Sequence, residues 1–214
     1  NVRKIKGDIR DQKFLSKIIK HFDYVIHLAC ISNDPSFDLN PELGKSINFD
    51  PFEGLVKICK ESGVEKFIYA SSSSVYGIKK EKDVDENCSV EPITDYSKYK
   101  ASCEEILLSY MNSKFCCTVI RPATVCGYSK RQRLDLVVNI LTNLAFNKGE
   151  ITVFGGDQLR PNIHIKDMCL AYKLLLEANK NLINGQIFNA GYENFSVNKL
   201  SEIVKNNIGK ENHS

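Results

Sequence analysis

Residues 66–77 read KFIYASSSSVYG. A short apolar run is followed at once by four serines and a Val-Tyr-Gly turn. That is the pattern of a buried strand ending at a polar edge. Two other stretches share the form: YVIHLA (24–29) runs into CISNDP, and FCCTVIRP (115–122) runs into ATVCGYS. A fourth and weaker run is QIFNAG (186–191). Between them the apolar period is helical, predicting helices over Asp11–Lys20, Glu42–Ser62 ending at Gly63, and Asp95–Ser113. Further helices are expected near Leu134–Asn147, Ile165–Ala178 and Val197–Ile208. Strands separated by helices of this length require right-handed βαβ crossovers. The expected fold is therefore α/β, a doubly wound and mainly parallel sheet. In such sheets ligands bind beyond the carboxyl ends of the strands, where the polar residues of all three stretches gather.

The 214 residues, 43% hydrophobic and 26% charged, are ordinary for a globular chain with a real core. Apolar runs are too short to span a bilayer, and no signal-peptide block opens the sequence. The first residues, NVRKIKGDIRDQ, lack an initiating Met and read as the middle of a longer chain. A net charge of +3 is spread along the sequence, and the densest basic patch, Tyr128–Asp135, is too short to indicate nucleic acid. The eight cysteines show no Cys-x-x-Cys, which fits reduced thiols in a cytoplasmic protein, and no His or Cys spacing indicates a metal.

Tyrosine and lysine four residues apart occur three times: Tyr76/Lys80, Tyr96/Lys100 and Tyr110/Lys114. Composition alone yields about one such pair, so spacing proves nothing. Tyr96 and Lys100 stand out because they open a helix, with Thr94 or Asp95 as N-cap, directly after the serine strand. A phenol with a pKa near 10 is a poor base at neutral pH, and a neighbouring ammonium favours its ionised form. That pairing suits proton transfer to or from an alcohol during hydride transfer.

KGDIRD, HLA, an Asn in the next helix, SSSSVYG, YSKYK, RPATVCG and RPNIHIKDM follow one another in order. This series resembles the extended short-chain dehydrogenase/reductase superfamily, and within it the nucleotide-sugar epimerase/dehydratase group. The resemblance implies a catalytic set of Asn48, Ser72, Tyr96 and Lys100, with Lys100 also on the nicotinamide ribose. It implies cofactor contacts at Asp8, Ile9, Leu28, Ala29 and Pro122. Substrate contacts are implied at Ser73, Ser74, Thr124 and Asp135, with Arg160 on the nucleotide diphosphate. NAD is the implied cofactor, with NADP left open, and a nucleotide-diphosphate sugar the substrate. The sheet would be Rossmann-like but without its first two strands and their phosphate loop. Residues 1–125 would form a partial dinucleotide-binding domain, and 126–214 an incomplete substrate lobe interleaved with the last strands. A homodimer is implied through the helices around 42–62 and 95–113, with Leu55, Ile58, Ile106 and Leu107 as its apolar positions.

Where dehydratases of that group carry Asp-Glu after the catalytic hydroxyl, this chain has Ser73 and Ser74. Many 4-epimerases have Asn at the position of Thr124, which makes a UDP-galactose pocket doubtful. The leading expectation is an NAD(P)-dependent nucleotide-sugar epimerase with Tyr96 as acid/base. The alternatives are a keto-sugar reductase and a non-catalytic dinucleotide-binding regulator.

Overall fold

The computed structural model describes residues 2–32, 34–79 and 83–208. Its elements begin with α1 (Gln12–Ile19), β1 (Tyr24–His27), α2 (Asp34–Asp38), α3 (Pro41–Asn48), α4 (Phe52–Glu61) and β2 (Lys66–Ala70). A 3-10 turn (Ser73–Tyr76) leads to α5 (Asp95–Ser109), β3 (Cys116–Pro122), β4 (Thr124–Cys126) and α6 (Val137–Lys148). Then come β5 (Leu159–His164), α7 (Ile165–Glu177), α8 (Lys180–Ile183), β6 (Ile187–Ala190), β7 (Asn194–Ser196) and α9 (Val197–Ile208). Packing divides the chain into two units, one of residues up to Arg121 with Tyr172–Asn189, the other of Pro122–Ala171 with Ala190 onward. Among the described residues no helix is long and apolar enough to cross a membrane.

The first unit is built on a sheet of order β1-β2-β3-β6. β1, β2 and β3 are parallel, with Ile26 opposite Ile68 and Ile68 opposite Thr118. Their polar carboxyl ends therefore open along one edge. Val56, Phe67, Leu107 and Val119, all fully buried, form the core between this sheet and its helices. Leu55 and Leu107 belong to that core, at 3% and 0% exposure, so they are not surplus apolar surface for a dimer. Ile58 and Ile106 are only partly buried against it.

The single helix expected over 42–62 is two helices, α3 and α4, separated at Phe49–Pro51. Pro51 has no N–H to continue the ladder and disfavours helical backbone at the residue before it. α5 stops at Ser109, not Ser113, because the Asn112 side chain accepts from the N–H groups of Lys114 and Phe115, both at 2.8 Å, and turns the chain into β3. The stretch before Gly7-Asp8, which resembles a third strand, is not in a ladder. The second unit pairs β4 parallel to β5 and β5 antiparallel to β7. Its α6 and α9 enclose a small core of Leu141, Val197, Leu200 and Val204.

Candidate active site

Thr94 caps α5 reciprocally with Ser97: Ser97 N–H donates to the Thr94 hydroxyl at 3.2 Å, and Thr94 N–H to the Ser97 hydroxyl at 3.1 Å. This fixes the entry of the helix and puts Tyr96, 9% exposed, in its first turn. One turn later the Lys100 ammonium is 5% exposed and donates to the Ala70 carbonyl at 2.6 Å. It also lies 4.9 Å from the Tyr69 ring centroid and 5.8 Å from that of Tyr96. Ala70 ends β2 immediately before the serines, so Lys100 ties the helix bearing Tyr96 to the strand end bearing Ser72. The buried cation also acts on His27. Burial, assisted by the Lys100 charge, pushes this imidazole down to about 3. His27 is thus a neutral core residue, tilted against Phe52 at 5.4 Å and stacked on Tyr69 at 5.9 Å.

Packing makes the four serines different. Ser71 donates its hydroxyl to the Glu104 carboxylate. The Ser72 hydroxyl accepts from Ser74 twice, from the N–H at 3.2 Å and the hydroxyl at 2.9 Å. Ser72, Ser73 and Ser74 are half-buried. The turn closes at Gly77, whose φ of +69° and approach to the Glu91 carbonyl leave no room: an added Cβ would stand 2.2 Å from that oxygen. Glu104 forms a buried ion pair with Arg121 at 2.6 Å, and Arg121 donates to the Tyr76 phenol at 2.8 Å. Sequence reading missed this network. Its one visible signal is a charged residue, Arg121, at the end of an otherwise apolar strand.

The competing pairs are committed elsewhere. Tyr76 donates to Asn189 at 2.7 Å, and Lys80 lies outside the described residues. Tyr110 caps α5 and donates to Glu53 at 2.8 Å, which holds its phenol protonated to higher pH than usual. Asn48 is 6% exposed, and its amide clamps one backbone unit, accepting from Ile31 N–H at 2.8 Å and donating to Ile31 C=O at 3.0 Å. It holds the loop that follows β1.

Asp8, Ile9 and Ala29 line an open cavity of about 390 Å³ with Gly7, Phe14 and Phe22. Arg10 grips both Asp8 oxygens, the shortest contact at 2.6 Å, and this holds the carboxyl down to about 2. Leu28 is exposed beside Ala29, and Pro122 is half-buried at the end of β3. In the second unit, Thr124 pairs in register with Asn162. Arg160 is exposed, and its carbonyl accepts from the Asn162 amide at 2.7 Å. Asp135 is exposed and ion-paired with Arg133 at 2.5 Å. The structure therefore gathers Ser72, Tyr96 and Lys100 about one strand end and Asp8, Ile9 and Ala29 about one cavity.

Residues 1–191 match the NAD dependent epimerase/dehydratase family. The chain belongs to this family. It is 28% identical to a Bacillus subtilis (strain 168) relative described as an uncharacterized UDP-glucose epimerase, YtcB, over 92% of this chain and 62% of that one. It is 30% identical to the human dTDP-D-glucose 4,6-dehydratase, over 96% of this chain and 59% of the relative. The chain thus spans about three-fifths of the length of these family members. A solved structure, MoeE5 in complex with UDP-glucose and NAD, superposes with a TM-score of 0.83 at 28% identity, covering 97% of this chain and 69% of that one.

Proposed function

We propose that this chain carries the reacting centre of an NAD-dependent nucleotide-sugar epimerase. The observation that carries the reading is the buried Lys100 ammonium, bonded to the carbonyl before the serine run and 5.8 Å from the Tyr96 ring. A cation beside the ring in a dry setting stabilises charge developing on the phenol, so Tyr96 can take and return the proton of a sugar hydroxyl. Ser72 already accepts two hydrogen bonds from Ser74, which leaves its own proton to donate to the reacting sugar oxygen. Asn48, expected in the catalytic set, would contribute by holding the loop after β1.

NAD, when bound, supplies a reversible hydride acceptor. The open cavity suits the adenine end, with the half-exposed Asp8 carboxylate as acceptor for an amine and Ile9 beside it. Leu28 and Ala29 would pass under the dinucleotide, Lys100 would meet the ribose, and Pro122 the nicotinamide. Arg160 offers an exposed guanidinium for the diphosphate, a task suited to its forked donors. Thr124, Asp135, Ser73 and Ser74 would meet the sugar nucleotide. Ser73 and Ser74 lack the proton-transfer power that water elimination needs, which favours epimerisation over the dehydration of the human relative. Ile58 and Ile106 are the side chains that a homodimer through α4 and α5 would use.

The test is to give the full-length protein NAD with UDP-glucose or dTDP-glucose and follow the sugar by proton NMR. An epimer of the supplied sugar should form with no net reduction of NAD. Tyr96→Phe should lower kcat about 10²–10⁴-fold while melting as the parent does. Stoichiometric use of NADH when a keto-sugar nucleotide is supplied in place of the sugar would mark a keto-sugar reductase, and full turnover by Tyr96→Phe would remove the catalytic assignment.

A further inference from the structure

One carboxylate on the helix of Tyr96 reaches the backbone segment of Ser72. Glu104 lies one turn beyond Lys100 on α5, so the two side chains project from the same helix face. Lys100 takes the Ala70 carbonyl, and Glu104 takes the Ser71 hydroxyl. Consecutive residues of the strand end are thereby bound to consecutive turns of the helix. Arg121 completes the arrangement. It donates Nε to Glu104 Oε1 at 3.0 Å and Nη2 to Oε2 at 2.6 Å, in a fork, and Nη1 to the Tyr76 phenol at 2.8 Å. The Tyr76 hydroxyl donates to Asn189 Oδ1 at 2.7 Å, and the Asn189 amide donates to the Val84 carbonyl at 3.2 Å. Ser71, Tyr76, Glu104 and Arg121 are 5%, 4%, 4% and 3% exposed. The short turn is held from both sides, at Ser71 before it and at Tyr76 at its end, with Ser72 between.

We propose that the Glu104–Arg121 pair is a positioning device: it sets the register of the Ser72 hydroxyl against Tyr96 and, by occupying Ser71, leaves Ser72 as the serine that reacts. This rests on the roles of Tyr96 and Ser72 given above. Stability alone does not call for the pair, because a buried ion pair is commonly replaced by apolar residues of similar volume without loss. The forked guanidinium provides direction, which apolar packing cannot.

The experiment compares kcat, KM and Tm in the full-length enzyme for Ser71→Ala, Arg121→Lys and the double variant Glu104→Leu/Arg121→Met, with UDP-glucose or dTDP-glucose, whichever turns over. The double variant keeps volume and leaves no buried charge alone. It is expected to melt near the parent, lose kcat about 100-fold and change KM little, as misplacement of reacting groups requires. Ser71→Ala should lose kcat about fivefold, and Arg121→Lys, which keeps the charge but not the fork, should fall between the two. A folded double variant with parental kcat overturns the proposal. Should the double variant not fold, parental kcat in both Ser71→Ala and Arg121→Lys overturns it equally. Tyr96→Phe runs alongside: if it stays fully active, the reading of Tyr96 is what fails, whereas an inactive Tyr96→Phe beside fully active pair variants removes the positioning device alone.

Discussion

The surroundings of the serine run and the surface of the second unit treat polar side chains in opposite ways. Near the end of β2, Lys100, Glu104 and Arg121 are buried at 5% exposure or less and bonded to groups remote in sequence. In the second unit, Arg160 and Asp135 stand exposed, and Asp135 pairs with Arg133, only two residues away. The first arrangement is preorganised, since satisfied polar groups in a low-dielectric setting hold one geometry and are costly to break. The second is adaptable, since an exposed ion pair is worth about 0–1 kcal/mol and yields readily to a charged ligand.

Breaking the buried side should have the largest effect. Glu104→Ala leaves Arg121 without its counter-charge and should destabilise the protein by about 3–5 kcal/mol in urea unfolding. A loss under 1 kcal/mol would mean that the pair is no more committed than Arg133–Asp135. The buried histidine offers a second test. Its folded pKa of about 3 lies below the ordinary 6.5, so the unfolded chain binds the extra proton. Its contribution is present above pH 6.5 and falls away as pH drops toward 3. At pH 5 the loss should be about 2 kcal/mol relative to neutral pH, and His27→Gln should flatten that slope. A parental slope in His27→Gln would place the titration elsewhere.

At Gly77, alanine must adopt a left-handed φ against the Glu91 carbonyl, and Gly77→Ala should cost about 1–3 kcal/mol of stability in the same unfolding assay. On the exposed side, Arg160→Ala should shift stability by less than about 0.5 kcal/mol yet raise the KM for a nucleotide sugar about tenfold. A large loss of stability there would show that Arg160 is structural.

Strands β1, β2, β3 and β6 and helix α5 are legible because apolar periodicity is local and strong. β4, β5 and β7 are not: β4 and β7 are three residues long, too short to show a period, and β5 carries Arg160 and Pro161 within it. The break in the 42–62 helix was masked because apolar spacing continues across Pro51, although the proline itself signals it. Within the site, the Tyr96/Lys100 pair and the strand-end serines are readable. The clamp of Asn48 on Ile31 and the Glu104 network are not, because their partners lie 17 to 113 positions apart.

Spacing and polarity along the chain were therefore enough to name the sheet, the helix that carries the phenol and ammonium, and the edge where they meet. Four adjacent serines look alike in one dimension. Folding separates them by handing Ser71 to a carboxylate 33 residues away and by aiming Ser74 at Ser72. A hydroxyl's chemistry is set by whatever donor or acceptor stands within hydrogen-bond reach, and that neighbour is chosen by packing.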